Sequence, residues 1–444
     1  MIIIILAIIA FVLHSVDIKS CSNRRTIEGL SADEEKLIAG IENIAVPFNG
    51  EMSYLKDEDL EKLNFPDNAE IIGLGEAAYG AKEFLQAKLR IFQYLAQYKG
   101  FRILALQCSI SEALYLEDYV IQNKGDLNDL MNSELIPWQF KNETFKQLLD
   151  WMKDFNKNKP DESKLHIMGF ESRLSYYDVN WLKWYLLMVL PGLPQQMESL
   201  FESLGELNDN RNSYRDMSQK KMIEIKKKIE TNIKELESQK EKIISNSGRT
   251  GFEIASQLLR TWLQSHEVNY SFHFDVIHFN RDRYMAENAL WISRQFGLGA
   301  KTVLWGHNSH IANDEILIRN SSMGKYLKDQ LKDHYYILGF GFTKGNFDAI
   351  TPVGILDHCA ITEEPRKDSI NYILYYVKYK NFFISFQDLP RLSFLSTWLS
   401  NSHRFLQVGF KFDGTTADLY DAVPITTYFD GLIYLDLSNS NTKN

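Results

Sequence analysis

Four short segments hold the side chains best suited to moving protons. Ile71–Gly80 (IIGLGEAAYG) ends an apolar run at Gly75 and delivers Glu76 and Tyr79 onto a tight turn. Ile103–Leu106 is followed by Gln107, Cys108 and Ser109, and His166–Phe170 by Glu171 and Arg173. Thr302–Trp305 is followed by Gly306, His307, Asn308, Ser309 and His310. Histidines among carboxylates suit general acid–base work, because a neighbouring carboxylate raises a histidine pKa and holds one tautomer. A metal reading would add Glu76 or Glu171 to His307 and His310. H-x-x-H on a loop is a weak ligand pattern beside H-E-x-x-H on a helix, so neither metal nor cofactor is expected.

Two familiar chemistries fit poorly. Gly73–Ala78 formally matches G-x-G-x-x-A, a dinucleotide fingerprint, but the acid wanted at the end of the second strand is Gln107. Glu76 would also face the pyrophosphate, where negative charge is unwelcome. No G-x-S-x-G nucleophile elbow occurs, which argues against a standard serine hydrolase.

The elements that must carry these residues alternate. Ile71–Leu74, Ile103–Leu106, His166–Phe170, Thr302–Trp305 and Tyr336–Phe340 are continuously apolar, as strands covered on both faces are. Helical patterns such as Ala81–Tyr98 and Glu143–Phe155 lie between them, and Gly431–Leu435 extends the series. The pattern predicts a three-layer α/β/α core with a mainly parallel sheet. The polar residues that follow the strands then share one edge and converge in one crevice. Between Tyr176 and Asn288 the strand signal disappears. Met222, Ile225, Ile229, Ile233, Leu236 and Ile243 fall at helical spacing, opposite Lys220, Lys221, Lys226, Lys227 and Lys228. This predicts a large helical cap insertion with a solvated lysine face. The expected organisation is an N-terminal segment over 1–21, core over 45–175 and 289–440, and cap over 176–288.

The chain has 444 residues, 13% of them aromatic, and a net charge of −9. That composition excludes a disordered chain and argues against nucleic acid as a partner, which needs a basic face. The start, MIIIILAIIAFVL, is short for a membrane span and resembles the apolar region of a signal peptide. Cys21 follows Ser20, as a lipidated bacterial cysteine would. An exported or membrane-tethered bacterial protein of the periplasm or cell envelope is expected. Cys108 and Cys359, the other two cysteines, make no disulfide framework, and Cys108 reads as a packed free thiol.

Taken together, these segments resemble the erythromycin esterase family. GEAAYGAKEFLQAKLR is similar to its G-E-A-T-H-G-x-x-E-F segment, and WGHNSHIAND to its W-x-H-N-x-H-I. ALQCSISEALYLEDYV, WQFKNETFKQLLDWMKDFN, MGFESR, RDRYMAEN, MGKYL and YYILGFGFTKG follow in the family's order. The resemblance covers Glu70–Gly345 and extends towards Phe429-Asp430-Gly431. It implies metal-independent hydrolysis of an ester or lactone by activated water, with macrolides as namesake substrates. It implies catalytic roles for Glu76, His307 and His310, a basic position at Lys88, and a carboxylate at Glu171. Asn308 and Gln107 join Lys88 and Glu171 as expected substrate-binding residues.

Two positions depart from the family. Its G-E-A-T-H-G histidine, the proposed base for water, is Tyr79, and the glutamate after its second strand is Gln107. Tyrosine titrates near 10, about 3 units above a useful base, which corresponds to about 4 kcal/mol. Two readings follow. One is a hydrolase in which His307 or His310 is the base, oriented by Glu76, with Tyr79 donating to the substrate. The other is a catalytically degenerate member that binds a hydrophobic small molecule. Oligomeric state is left open by the sequence.

Overall fold

The computed structural model describes residues 29–440, apart from 49–50, 193–196, 199, 203–216, 275–280, 298, 317–319, 388 and 391. The signal-like segment 1–21, with Cys21, lies outside the described residues. Among them no helix is long and apolar enough to cross a membrane.

Nine strands form the main sheet: β1 Val46–Pro47, β2 Ile71–Leu74, β3 Phe101–Leu106, β4 His166–Gly169, β5 Lys301–Trp305, β6 Tyr335–Ile350, β7 Leu356–Ile361, β8 Asn381–Ser385 and β9 Gly431–Ser438. Their order is β1-β8-β9-β6-β2-β5-β3-β4, with β7 on β6. The run from β9 to β4 is parallel throughout. β8 is antiparallel to both neighbours, and β7 to β6.

Alternate side chains of the parallel strands enter opposite cores, as the two-residue period of a strand requires. Ile71, Ile103, Ala105, Met168, Leu304 and Ile337 face one core, and Ile72, Leu104, Leu106, Ile167, Val303 and Leu338 the other. Helices Lys82–Tyr98 and Glu143–Asn156 cover the second face. Helices Tyr176–Val189, Gln219–Ser238, Lys240–His273 and Arg281–Ile292 contribute to the first. The described helices between Tyr176 and Asn288 therefore share one apolar core with the sheet. Gln219–Ser238 and Lys240–His273 pack as a hairpin that reverses near Gly248, so that Gln219 meets Tyr270 and Lys226 meets Glu267, burying Met222, Ile225, Ile229 and Leu236. Lys220 and Lys227 face solvent, while Lys226 reaches Glu267 at 2.8 Å.

The expected strand Tyr336–Phe340 is the start of a sixteen-residue strand. Its second half carries polar residues because it leaves the covered sheet and pairs with β7, which is largely exposed. β8 runs against the parallel grain, a direction that its apolar sequence does not encode.

Chain order and strand order make β2 and β5 the pivot. β2 connects onward to β3, beyond β5, and β5 connects to β6, beyond β2. Connections that diverge from neighbouring parallel strands open a crevice at their C-terminal ends.

Beside that crevice the helices following β3 and β4 begin together. Ser109 and Glu112 form a capping box on helix Ile110–Gln122, and Ser175 and Asp178 one on Tyr176–Val189. The boxes are interlocked: Ser111 N–H donates to Asp178 at 3.2 Å, and Ser175 Oγ to Glu112 at 3.3 Å. Burial pushes Glu112 up to about 7, with the charge of Asp178 adding to it, and burial pushes Asp178 up to about 6. A carboxyl raised on folding stabilises the fold fully below its unfolded pKa and loses that contribution as pH rises through the folded value. Glu112→Gln keeps the box and removes the ionisation. Its melting temperature is expected to gain on the parent's steadily between about pH 4.5 and 7, a shift of a few degrees. A difference that stays flat over that window would refute this assignment.

Candidate active site

The turn after β2 is made by close approach. A Cβ on Gly75 would lie 2.0 Å from Asn308 Oδ1, so only glycine lets the chain pass. Asn308 N–H donates to the Glu76 carbonyl at 2.9 Å. The Asn308 side chain donates to Phe340 O at 2.7 Å and accepts from Phe340 N–H at 3.2 Å. This wholly buried amide clamps the turns after β2 and β5 onto β6. At the far end of the segment, Gly80 has φ +68°, and a Cβ there would meet Asp348 Oδ2 at 2.1 Å.

Glu76 turns inward. Its Oε2 is 2.9 Å from Lys88 Nζ, and both side chains are buried. Lys88 also donates to Gly306 O at 3.4 Å and lies 4.9 Å from the Trp305 ring centroid. Burial pushes the Glu76 carboxyl up and Lys88 down to about 8, while each partner's charge opposes the other's shift. Glu76 thus partners a lysine rather than a histidine.

His307 and His310 have opposite surroundings. His307 N-caps the short helix Asn308–Ile311: its Nδ1 accepts from Ser309 N–H at 3.2 Å. Its Nε2 then carries the proton and donates to Val408 O at 3.1 Å. Burial, reinforced by the positive field of His310, brings His307 down to about 3. It is a neutral ring with both nitrogens engaged. His310 lies one turn on and is partly exposed. Its Nδ1 is 2.6 Å from Asp282 Oδ1, and its Nε2 has no hydrogen-bond partner among the described residues. Asp282 also accepts from Met323 N–H at 3.1 Å, which fixes the carboxylate.

Tyr79 stacks on His307 with centroids 5.2 Å apart, and the Gln107 side chain neighbours its hydroxyl. Gln107 Oε1 accepts the His307 backbone N–H at 3.1 Å. Burial and then the charge of Glu76 hold the Tyr79 phenol well above its usual range, so it is a donor, not a base. The field of Arg281 also reaches it. Arg281 grips Glu171 through two hydrogen bonds, with Nε to Oε1 at 2.8 Å, and Arg173 approaches at 3.4 Å. Burial opposes the Glu171 charge, but the two arginines overcome it and hold the carboxyl far below the usual range.

The strand ends therefore bring Tyr79, Gln107, Glu171, His307 and His310 together, with Glu76–Lys88 and Asn308 packed behind. Asp282 and Arg281 are the residues that sequence reasoning did not single out. Both stand in RDRYMAEN, a segment noted only for its place in the motif order. Cys108 is a buried free thiol, and burial pushes it well above its usual range. Over Tyr79 lie Trp138 and Phe410, with centroids 6.0 and 6.2 Å from its ring. Trp138 Nε1 is buried without a hydrogen-bond partner among the described residues, and Phe410 is 44% exposed.

The sequence model described as erythromycin esterase matches residues 96–438. The chain belongs to the erythromycin esterase family. The match contains Gln107, Glu171, Asp282, His307 and His310 and begins beyond Glu76, Tyr79 and Lys88. The protein named "Putative hydrolase YbfO" of Bacillus subtilis (strain 168) is 25% identical over 308 residues. That match spans 63% of this chain and 66% of the relative, just under two thirds of its length. A crystal structure of a Bacillus cereus protein superposes with a TM-score of 0.81 at 24% identity, covering 93% of this chain and 99% of that one. A mutant of erythromycin esterase EreC in its open conformation gives 0.66 at 17% identity, covering 88% and 97%. These two structures share the fold of this family member.

The buried pair yields a test of the scaffold. Lys88→Met strands the Glu76 charge, and breaking such a pair costs about 3–5 kcal/mol. The urea midpoint should fall accordingly, and Glu76→Gln added to Lys88→Met should recover part of the loss. An unchanged midpoint in the single variant would show that the pair does not hold the turn.

Proposed function

We propose that this family member hydrolyses an ester or lactone by direct attack of water, with His310 as the general base. The observation that carries the reading is the His310–Asp282 contact, which leaves the other ring nitrogen without a hydrogen-bond partner among the described residues. Asp282 follows Arg281 in the chain, so the His310 contact adjoins the Arg281–Glu171 pair. Family membership supports a hydrolase-like function. His310 Nε2 takes a proton from water as the oxygen bonds to the carbonyl carbon, and Asp282 stabilises the imidazolium that forms. Tyr79 O–H and Arg281 are the donors suited to the oxyanion. Collapse breaks the C–O bond, and His310 returns the proton to the leaving alcohol. His307 is assigned positioning: it caps the helix carrying His310 and backs the Tyr79 ring.

Macrolide-type lactones are the proposed substrate class, and the aromatic surfaces of Trp138 and Phe410 suit a large apolar ester. The same reading puts the protein at the bacterial cell envelope, exported or tethered through its N-terminal segment and Cys21. A second reading, ligand binding without turnover, is favoured by one feature: Tyr79, only 6% exposed, is stacked on His307 and occupies the heart of the site.

Purified protein incubated with 14-membered macrolides and a panel of simple esters and lactones decides between them. Hydrolysis is expected, and His310→Ala should lower kcat by about 10²–10⁴-fold. Asp282→Asn should lower kcat with little change in KM, because it removes the partner that fixes the tautomer. Turnover unaffected by His310→Ala would overturn the assignment of the base. Thermal shifts with these compounds but no hydrolysis would establish the binding reading.

A further inference from the structure

The helical region holds a second polar pocket, built from residues with no part in the site above. Helix Lys240–His273 is kinked at Gly248, which has φ +82°. Beyond the kink, Arg249, Glu253 and Arg260 fall on one face, since residues three and four apart are helix neighbours. Opposite stands the end of helix Arg281–Ile292, where a tight turn, with Arg294 N–H donating to Trp291 O at 3.1 Å, sets Trp291 and Arg294 into the other wall. Between them is a cavity of about 280 Å³. Buried Gln257 forms part of its lining and is held by a 2.8 Å hydrogen bond to Asn288 Oδ1.

The charges in this pocket are unbalanced. Three guanidinium groups meet one carboxylate, in a chain whose net charge is −9. Arg249 approaches Glu253 only at 4.0 Å. Arg260 and Arg294 have no carboxylate partner among the described residues. Guanidinium is weakly hydrated and presents a planar fork that matches phosphate and carboxylate oxygens. Like charges gathered around one concavity repel unless a counter-charge enters. Trp291 adds an apolar wall beside them.

We propose that this pocket is a binding site for a small polyanion bearing phosphate or carboxylate groups, gripped by Arg260 and Arg294 with Arg249 at the rim. The test is calorimetric titration of the full chain at low ionic strength with pyrophosphate in one arm and citrate in the other. Saturable binding in at least one arm is expected, and the stronger arm identifies the anion type. The double variant Arg260→Ser, Arg294→Ser should weaken that binding at least ten-fold. The control Lys220→Ser, Lys227→Ser removes equal charge elsewhere and should leave it within two-fold. All four side chains face solvent, so the substitutions spare the core. Absence of binding in both arms, or equal weakening by the two double variants, would overturn the proposal.

Discussion

The sealed contact between Glu76 and Lys88 constrains everything else at the strand ends. Burying a carboxylate and an ammonium is costly unless each meets the other and further polar partners. Here the cost is offset by the 2.9 Å pair and by the Lys88 contact with Gly306 O. Those partners lie on the turns after β2 and β5 and on helix Lys82–Tyr98, so satisfying the charges forces the three together. The Asn308 side chain closes the same junction with two hydrogen bonds to the backbone of Phe340. Glu76 is therefore part of the frame and has little left to give to a histidine.

The same junction explains why two histidines three residues apart behave so differently. The helix between them is a single turn, Asn308–Ile311. His307 stands at its N-cap, where the first free backbone N–H groups need an acceptor, and the ring supplies one. His310 projects from the end of that turn towards Asp282. One imidazole is consumed by the local backbone; the other keeps a nitrogen unengaged among the described residues. Spacing alone contains no trace of this division, because it depends on where the helix starts and on a carboxylate from a distant segment.

What the sequence disclosed follows the same line. Ile71–Leu74, Ile103–Leu106 and Thr302–Trp305 were legible because strands covered on both faces must be apolar without interruption. The residues after them were legible as neighbours at one sheet edge because a parallel sheet gathers its C-terminal ends. Asp282 and Arg281 were not, since they reach the site from the start of a helix rather than from a strand. The far half of β6 and the antiparallel course of β8 were hidden for another reason. Strand direction and pairing are decided by partners, not by the strand's own residues.

Tyr79 and Gln107 are best understood through charge. Tyr79 already feels the negative fields of Glu76 and Glu171, with Arg281 opposing them. A carboxylate at 107 would add a third negative group beside a buried ring, where like charges are least screened. An amide accepts the His307 N–H and stands beside the phenol without that charge. The phenol in turn suits an amide neighbour because it stays protonated. The two residues thus fit one another as a neutral pair. A neutral pair at this place supplies no base from the β2 turn, and the imidazole held by a carboxylate is His310, through Asp282, the residue next to the Arg281 that binds Glu171.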